Sequence, residues 1–159
     1  MSLALVALLL ARQSECANPE PAGLLQQVAL YGGVFGLRAD DLEQEVGAEF
    51  RFRKFWWELE PIVGIEHVSP TSTYLYAGLR REFELGEKWF AAPSMAAGLW
   101  EGGSADLGGP LEFRSALEVG YRISPRVRLS LTASHISNGS IYEVNTGSES
   151  VLLGISFDL

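Results

Sequence analysis

Cysteine is almost absent from this chain: Cys16 stands alone among 159 residues. No disulfide can form within it and no cysteine-based metal site can be built. Positive charge is scarce as well. Twelve Lys and Arg residues are scattered against twenty Asp and Glu, a formal net charge of −8, and no basic cluster is interleaved with aromatics. That balance argues against a nucleic-acid partner. Beyond residue 11 no apolar run approaches the ~20 residues that a membrane-crossing helix requires. Helical spacing of apolar residues is equally hard to find, and there is no internal repeat or low-complexity segment. The glycine pair in Tyr31-Gly32-Gly33 sits in a strand-like run with no helix after it, so it is not a phosphate loop.

What the chain does have is two-residue alternation from residue 24 to the end, with abundant glycine and 11% aromatics. Alternate residues of a strand point to opposite faces, so each alternating run predicts one strand. Eight are expected, at about 26–37, 42–53, 55–66, 71–84, 87–99, 110–122, 126–138 and 148–159. In the second, Val46, Ala48, Phe50 and Phe52 alternate with Glu45, Gly47, Glu49 and Arg51. In the seventh, Val127, Leu129 and Leu131 alternate with Arg126, Arg128, Ser130 and Thr132. With no helix between them, neighbours should pair antiparallel in up-and-down order. The connections around Lys54, Gly86 and Ile123-Ser124-Pro125 are tight. Those at 101–109 and 139–146 are long and rich in Gly, Ser and Asn. Short turns at one end and longer loops at the other is the pattern of outer-membrane barrels.

Residues 3–11 (LALVALLLA) have the length and composition of a secretory apolar region. No Lys or Arg precedes them and Ser14-Glu15-Cys16-Ala17 is a poor cleavage site; the competing reading is a helix docked on the domain. Residues 1–17 are read as a signal peptide, 18–24 as a linker and 25–159 as the barrel. The residues before Cys16 make no convincing lipobox.

Alternation alone does not say which face is inside. A soluble lipocalin-like carrier would line its cavity with the apolar face; a membrane barrel turns that face to lipid. Three features favour the membrane. Acids, arginines and glycines share the polar face on consecutive strands, where they can neutralise one another in a narrow lumen. Trp56, Trp57, Tyr74, Tyr76, Trp89, Phe90, Trp100 and Tyr121 lie near strand ends, as an interfacial girdle would. Strand lengths also suit a tilted crossing of the hydrocarbon. The fold expected is an all-β, eight-stranded antiparallel transmembrane barrel.

One stretch breaks the apolar face. His135 and Ser137 end the seventh run at odd positions, after Leu129, Leu131 and Ala133. Glu149 opens the eighth at the odd position before Val151, Leu153 and Ile155. An antiparallel return brings Glu149 alongside the other two. A serine, a histidine and a carboxylate on one patch are the parts of an acyl-transfer site. A polar patch on the lipid side is costly at mid-bilayer but nearly free at the interface, which points to a substrate that itself lies in the membrane.

His135-Ile136-Ser137-Asn138, a Gly/Ser-containing loop and Gly147-Ser148-Glu149-Ser150 resemble the C-terminal signature of the outer-membrane lipid A 3-O-deacylases (the PagL-like family). The resemblance implies a hydrolase of the 3-O-linked acyl ester of lipid A, in the outer membrane of a Gram-negative bacterium, with lipopolysaccharide as substrate and no cofactor or metal. Carried over, Ser137 is the nucleophile, His135 its general base and Glu149 the group that orients the imidazole. Asn138 matches an asparagine that helps hold the oxyanion. The family places a glycine two positions after that asparagine, where this chain has Gly139-Ser140, so the second oxyanion donor is left between Gly139 and Ser140.

Taken singly, a serine and a histidine at a strand end are rim polar residues more often than a catalytic pair; their convergence with the family spacing decides the matter. For His67, in a connection with no suitably spaced nucleophile, the bland reading wins. Glu112, Arg114 and Glu118 read as lumen packing. The rival functions are a non-catalytic structural or adhesive barrel and the lipocalin-like carrier. Oligomeric state is left open, a homodimer included.

Overall fold

The computed structural model describes residues 23–37, 39, 42–102 and 106–159. The signal segment 1–17 and most of the linker expected at 18–24 lie outside the described residues. The strands, in chain order, are β1 Leu25–Phe35, β2 Glu43–Phe52, β3 Leu59–Val68, β4 Ser72–Arg81, β5 Phe83–Glu84, β6 Trp89–Glu101, β7 Leu111–Ser124, β8 Val127–Ser137 and β9 Ser148–Asp158. Every pairing is antiparallel. The sheet closes where β1 pairs β9 and β4 pairs β6. The two-residue β5 carries the line of β4 past Glu82 and pairs with β6, so the wall is an eight-stranded up-and-down barrel.

Side-chain parity sorts the two faces. On β8, Leu129, Leu131 and Ala133 are exposed while Ser130 and Thr132 are buried. On β9, Leu153 points outward beside the buried Leu152 and Ser156. Leu75, Met95, Leu117 and Val63 continue the outer apolar band. Inside, Arg51 donates through Nε to Glu49 (2.7 Å) and through Nη2 to Glu118 (2.9 Å), and bonds Gln27 and Tyr31 as well. Arg80 joins Glu60, Glu82 and Glu118, and Arg114 faces Glu66 at 3.0 Å. Glu112, Arg114 and Glu118 are buried in this lumen. A charged, self-neutralising interior inside an apolar exterior is the inverse of a lipocalin and removes the carrier as a reading.

Three expectations need correction. The third strand begins at Leu59, not near 55, because Trp56–Glu58 form a 3-10 turn in which Trp57 and Glu58 take positive φ (57° and 59°). Alternation runs on through Phe55, Trp57 and Leu59, so the turn leaves no mark in the pattern. His67 therefore lies within β3, on the outer face, with Nδ1 3.2 Å from Thr73 Oγ1. The girdle is also smaller than expected. Tyr74, Tyr76, Phe90 and Trp100 face the lumen, where Tyr74 stacks on Tyr76 and Phe35 on Trp100. The outward aromatics Trp56, Trp57 and Trp89 gather at the end of the short turns, Trp89 edge-on to Tyr121.

Residues 106–110 and 138–147 stand at the opposite end from the turns 53–58, 85–88 and 125–126. Both belong to the end where β8 stops and β9 starts. The outward polar patch sits at that end.

Candidate active site

The β8–β9 ladder pairs His135 directly with Glu149. Their side chains meet on the outer face, His135 Nδ1 lying 3.1 Å from Glu149 Oε1. A carboxylate on Nδ1 fixes the imidazole tautomer that leaves Nε2 as a base. The imidazole is about half exposed (46%) and the carboxylate is more sheltered (18%). Ser137, the last residue of β8, follows two positions later on the same face, half-buried and across the ladder from Phe113. No hydrogen bond joins its hydroxyl to the imidazole; contacts of that kind tighten when substrate binds.

Gly147 was quoted from sequence only as part of a signature, and the structure shows what the glycine permits. Its φ is +60°, and an added Cβ would lie 3.1 Å from His135 Cε1 and 3.2 Å from the Ile136 carbonyl oxygen. The bare backbone of Gly147 thus walls one side of the imidazole. On the far side of Glu149, its carbonyl accepts the Gly36 and Leu37 N–H groups (3.0 and 3.2 Å), tying the first loop to the site.

Asn138 departs from the expectation that its amide is aimed at the oxyanion. It is fully buried, and Nδ2 donates to the Leu107 and Val144 carbonyls, both at 2.7 Å. Those two bonds use both N–H groups of the amide. Its Oδ1 accepts the Ser140 N–H at 2.9 Å, which spends that donor too. Of the three expected donors, only the Gly139 N–H has no acceptor among the described residues. Gly139 and Ser140 both adopt left-handed φ (63° and 64°). For a serine this costs about 1–2 kcal/mol, a cost that a glycine would avoid.

The two long loops are locked together above the site. Leu107 is buried in the lumen cluster with Trp100 and Ile136. Thr146 Oγ1 donates to the Asp106 carbonyl (2.7 Å), and the Leu111 N–H donates to the Tyr142 hydroxyl (3.3 Å). A Cβ on Gly108 would fall 1.9 Å from the Val144 carbonyl oxygen, so only glycine allows that approach.

Chemically, a base oriented by a carboxylate, a hydroxyl on the same face and one uncommitted N–H at the next residue suit attack on an ester.

The family model for lipid A 3-O-deacylase (PagL) matches residues 45–158. No curated protein sequence matches the chain. Among solved structures, that of the outer membrane enzyme PagL covers 84% of this chain and 99% of its own, at 20% identity and a TM-score of 0.60. Neisserial surface protein A (NspA) covers 85% and 96%, at 14% identity and a TM-score of 0.64. A de novo designed transmembrane β-barrel covers 88% and 99%, at 14% identity and a TM-score of 0.63. These structural likenesses fix the fold; the family match alone separates an enzyme from other barrels.

Proposed function

The chain belongs to the lipid A 3-O-deacylase (PagL) family and is an outer-membrane β-barrel protein of the Gram-negative type, and from that premise we propose that it is a serine esterase acting from the lipid-facing surface of its barrel. The single observation that carries the proposal is the His135–Glu149 contact of 3.1 Å on the outer face, at the loop end, with Ser137 beside it. Even an Arg or Lys there costs only about 0–1 kcal/mol, against about 2–4 at the bilayer midplane, and an acidic residue costs less. An ester at the sugar–acyl junction of an outer-leaflet lipid reaches that depth without leaving the membrane.

Ser137 Oγ attacks the ester carbonyl while His135 Nε2 takes its proton. Glu149 holds the ring and stabilises the imidazolium as it forms. The Gly139 N–H donates to the tetrahedral oxyanion, with Asn138 fixing the turn that presents it. Collapse of the intermediate breaks the bond to the sugar oxygen, which receives the proton from His135 and leaves the acyl group on Ser137. Water, deprotonated by His135, attacks the acyl-serine and releases the fatty acid and the free serine.

A second reading is a non-catalytic barrel, since Neisserial surface protein A shares the fold. A fluorophosphonate probe separates the two. Phosphonylation confined to the Ser137 peptide, and absent from His135→Ala, is the expected result. A folded barrel that takes no label at Ser137 refutes serine catalysis.

A further inference from the structure

Resting on that reading, we propose that the recess between the first and last outer loops is the subsite for the sugar ring of the substrate. It is lined by Ala39, Thr146, Gly147, Ser148 and Glu149 and has a volume of about 240 Å³. Drug-sized ligands occupy sites of about 300–1,000 Å³, so this recess is scaled to one pyranose ring and not to a disaccharide.

Position selects it. With the ester at Ser137, the acyl chain must run down the apolar wall and the sugar must lie at loop height. The register that pairs Ile136 with Ser148 sets Ser137 level with Gly147, one strand away from the recess. A ring held there hangs its 3-position ester across Gly147 toward Ser137 and His135. The other flank of Ser137 has the wrong chemistry for a sugar. Phe113 and, beyond it, Leu99 are exposed there, and they suit hydrocarbon.

Lining chemistry agrees with position. The Thr146 hydroxyl oxygen and the Glu149 carboxylate can accept hydrogen bonds from ring hydroxyls and from an amide N–H, while Ser148 lends only its backbone, its side chain sharing the inward parity of Ser150 and Leu152. Thr146 is fixed by its bond to the Asp106 carbonyl (2.7 Å), so that wall is preorganised. The Glu149 backbone is fixed by the Gly36 and Leu37 N–H groups. Ala39 lines the recess from the first loop, and its N–H donates to the Gly36 carbonyl at 2.8 Å. Ala39 is thus the lining residue that can be enlarged without touching the triad: it is exposed and its side chain makes no part of the barrel's ladder.

The test is Ala39→Trp in the full chain, purified in detergent, with Ala39→Ser as the conservative control. Two substrates are compared: lipid A, and a p-nitrophenyl ester of a medium-chain fatty acid, which has no sugar. The expected result is that Ala39→Trp lowers the kcat/KM ratio of lipid A to p-nitrophenyl ester at least tenfold, through KM for lipid A, and that Ala39→Ser keeps the wild-type ratio. An unchanged ratio, or an equal loss on both substrates, overturns the subsite. Wild-type protein that cleaves the p-nitrophenyl ester and leaves lipid A intact overturns the lipid A reading, and the subsite with it. Heat-modifiable gel mobility confirms that each variant is folded.

Discussion

Replacing Asn138 with Asp removes two donors and puts a carboxylate where two carbonyl oxygens, those of Leu107 and Val144, stand 2.7 Å from the present nitrogen. A buried carbonyl left without a partner costs about 1–3 kcal/mol. That applies in full to Leu107, while the part-buried Val144 carbonyl can turn to water, so the junction of the two loops weakens by roughly 1–3 kcal/mol, before any repulsion between the oxygens. The barrel ladder is untouched, because β8 ends at Ser137. The loss falls on the turn that carries the Gly139 N–H. Removing one oxyanion donor costs about 2.7–4 kcal/mol, roughly a hundred- to a thousandfold in turnover, and a displacement of about 1 Å can cost a hundredfold. Asn138→Asp and Asn138→Ala should therefore lower kcat at least a hundredfold with little change in KM. The assay is steady-state hydrolysis of lipid A in detergent, paired with limited proteolysis of 138–147 and with heat-modifiable mobility. The loop should become cleavable in a barrel that stays folded. A folded Asn138→Asp protein with near-wild-type kcat refutes any catalytic part for Asn138. A fall in kcat with the loop still fully protected refutes the tie and returns the amide to the oxyanion itself.

Gly147→Ala should lower kcat about ten- to a hundredfold in steady-state assays: a left-handed alanine costs about 1–2 kcal/mol, and its Cβ presses on the His135 ring from 3.1 Å. Glu149→Ala should slow turnover yet leave measurable single-turnover hydrolysis, the outcome expected of a carboxylate whose proposed part is to orient the imidazole and not to react. Arg51→Met should lower unfolding stability in urea by about 3–5 kcal/mol, the usual cost of breaking a buried ion pair, since Arg51 is 2% exposed and bonds both Glu49 and Glu118.

The barrel was legible because a strand's period of two is a property of the backbone, and runs such as Val127, Leu129 and Leu131 declare their face without tertiary information. The placement of His135, Ser137 and Glu149 on one face follows from the same parity. Parity was less decisive on β4, where apolar residues occupy both faces: Tyr74 and Tyr76 inside, Leu75 and Leu79 outside. Arg80, which shares the parity of the tyrosines, was the available signal that their face is the lumen. Aromatics near a strand end therefore do not identify a girdle until their parity is checked. The partners of Asn138 were out of reach for another reason. Its partner Leu107 is 31 residues away in sequence, and nothing in a local pattern reports which carbonyl folds over an amide. The wall that Gly147 forms against His135 is likewise a contact between chain segments, visible in sequence only as the glycine.

The central claim is that Ser137 on the outer face cleaves the 3-O-acyl ester of lipid A. Mass spectrometry of lipid A from cells expressing the wild-type protein or Ser137→Ala, with equal amounts of folded barrel in the outer membrane, tests it most directly. Wild-type cells should yield lipid A lighter by one 3-O-linked acyl chain, and Ser137→Ala cells should yield the intact species. Deacylated lipid A from Ser137→Ala cells, or intact lipid A from both strains and from the purified wild-type protein in detergent, would contradict it.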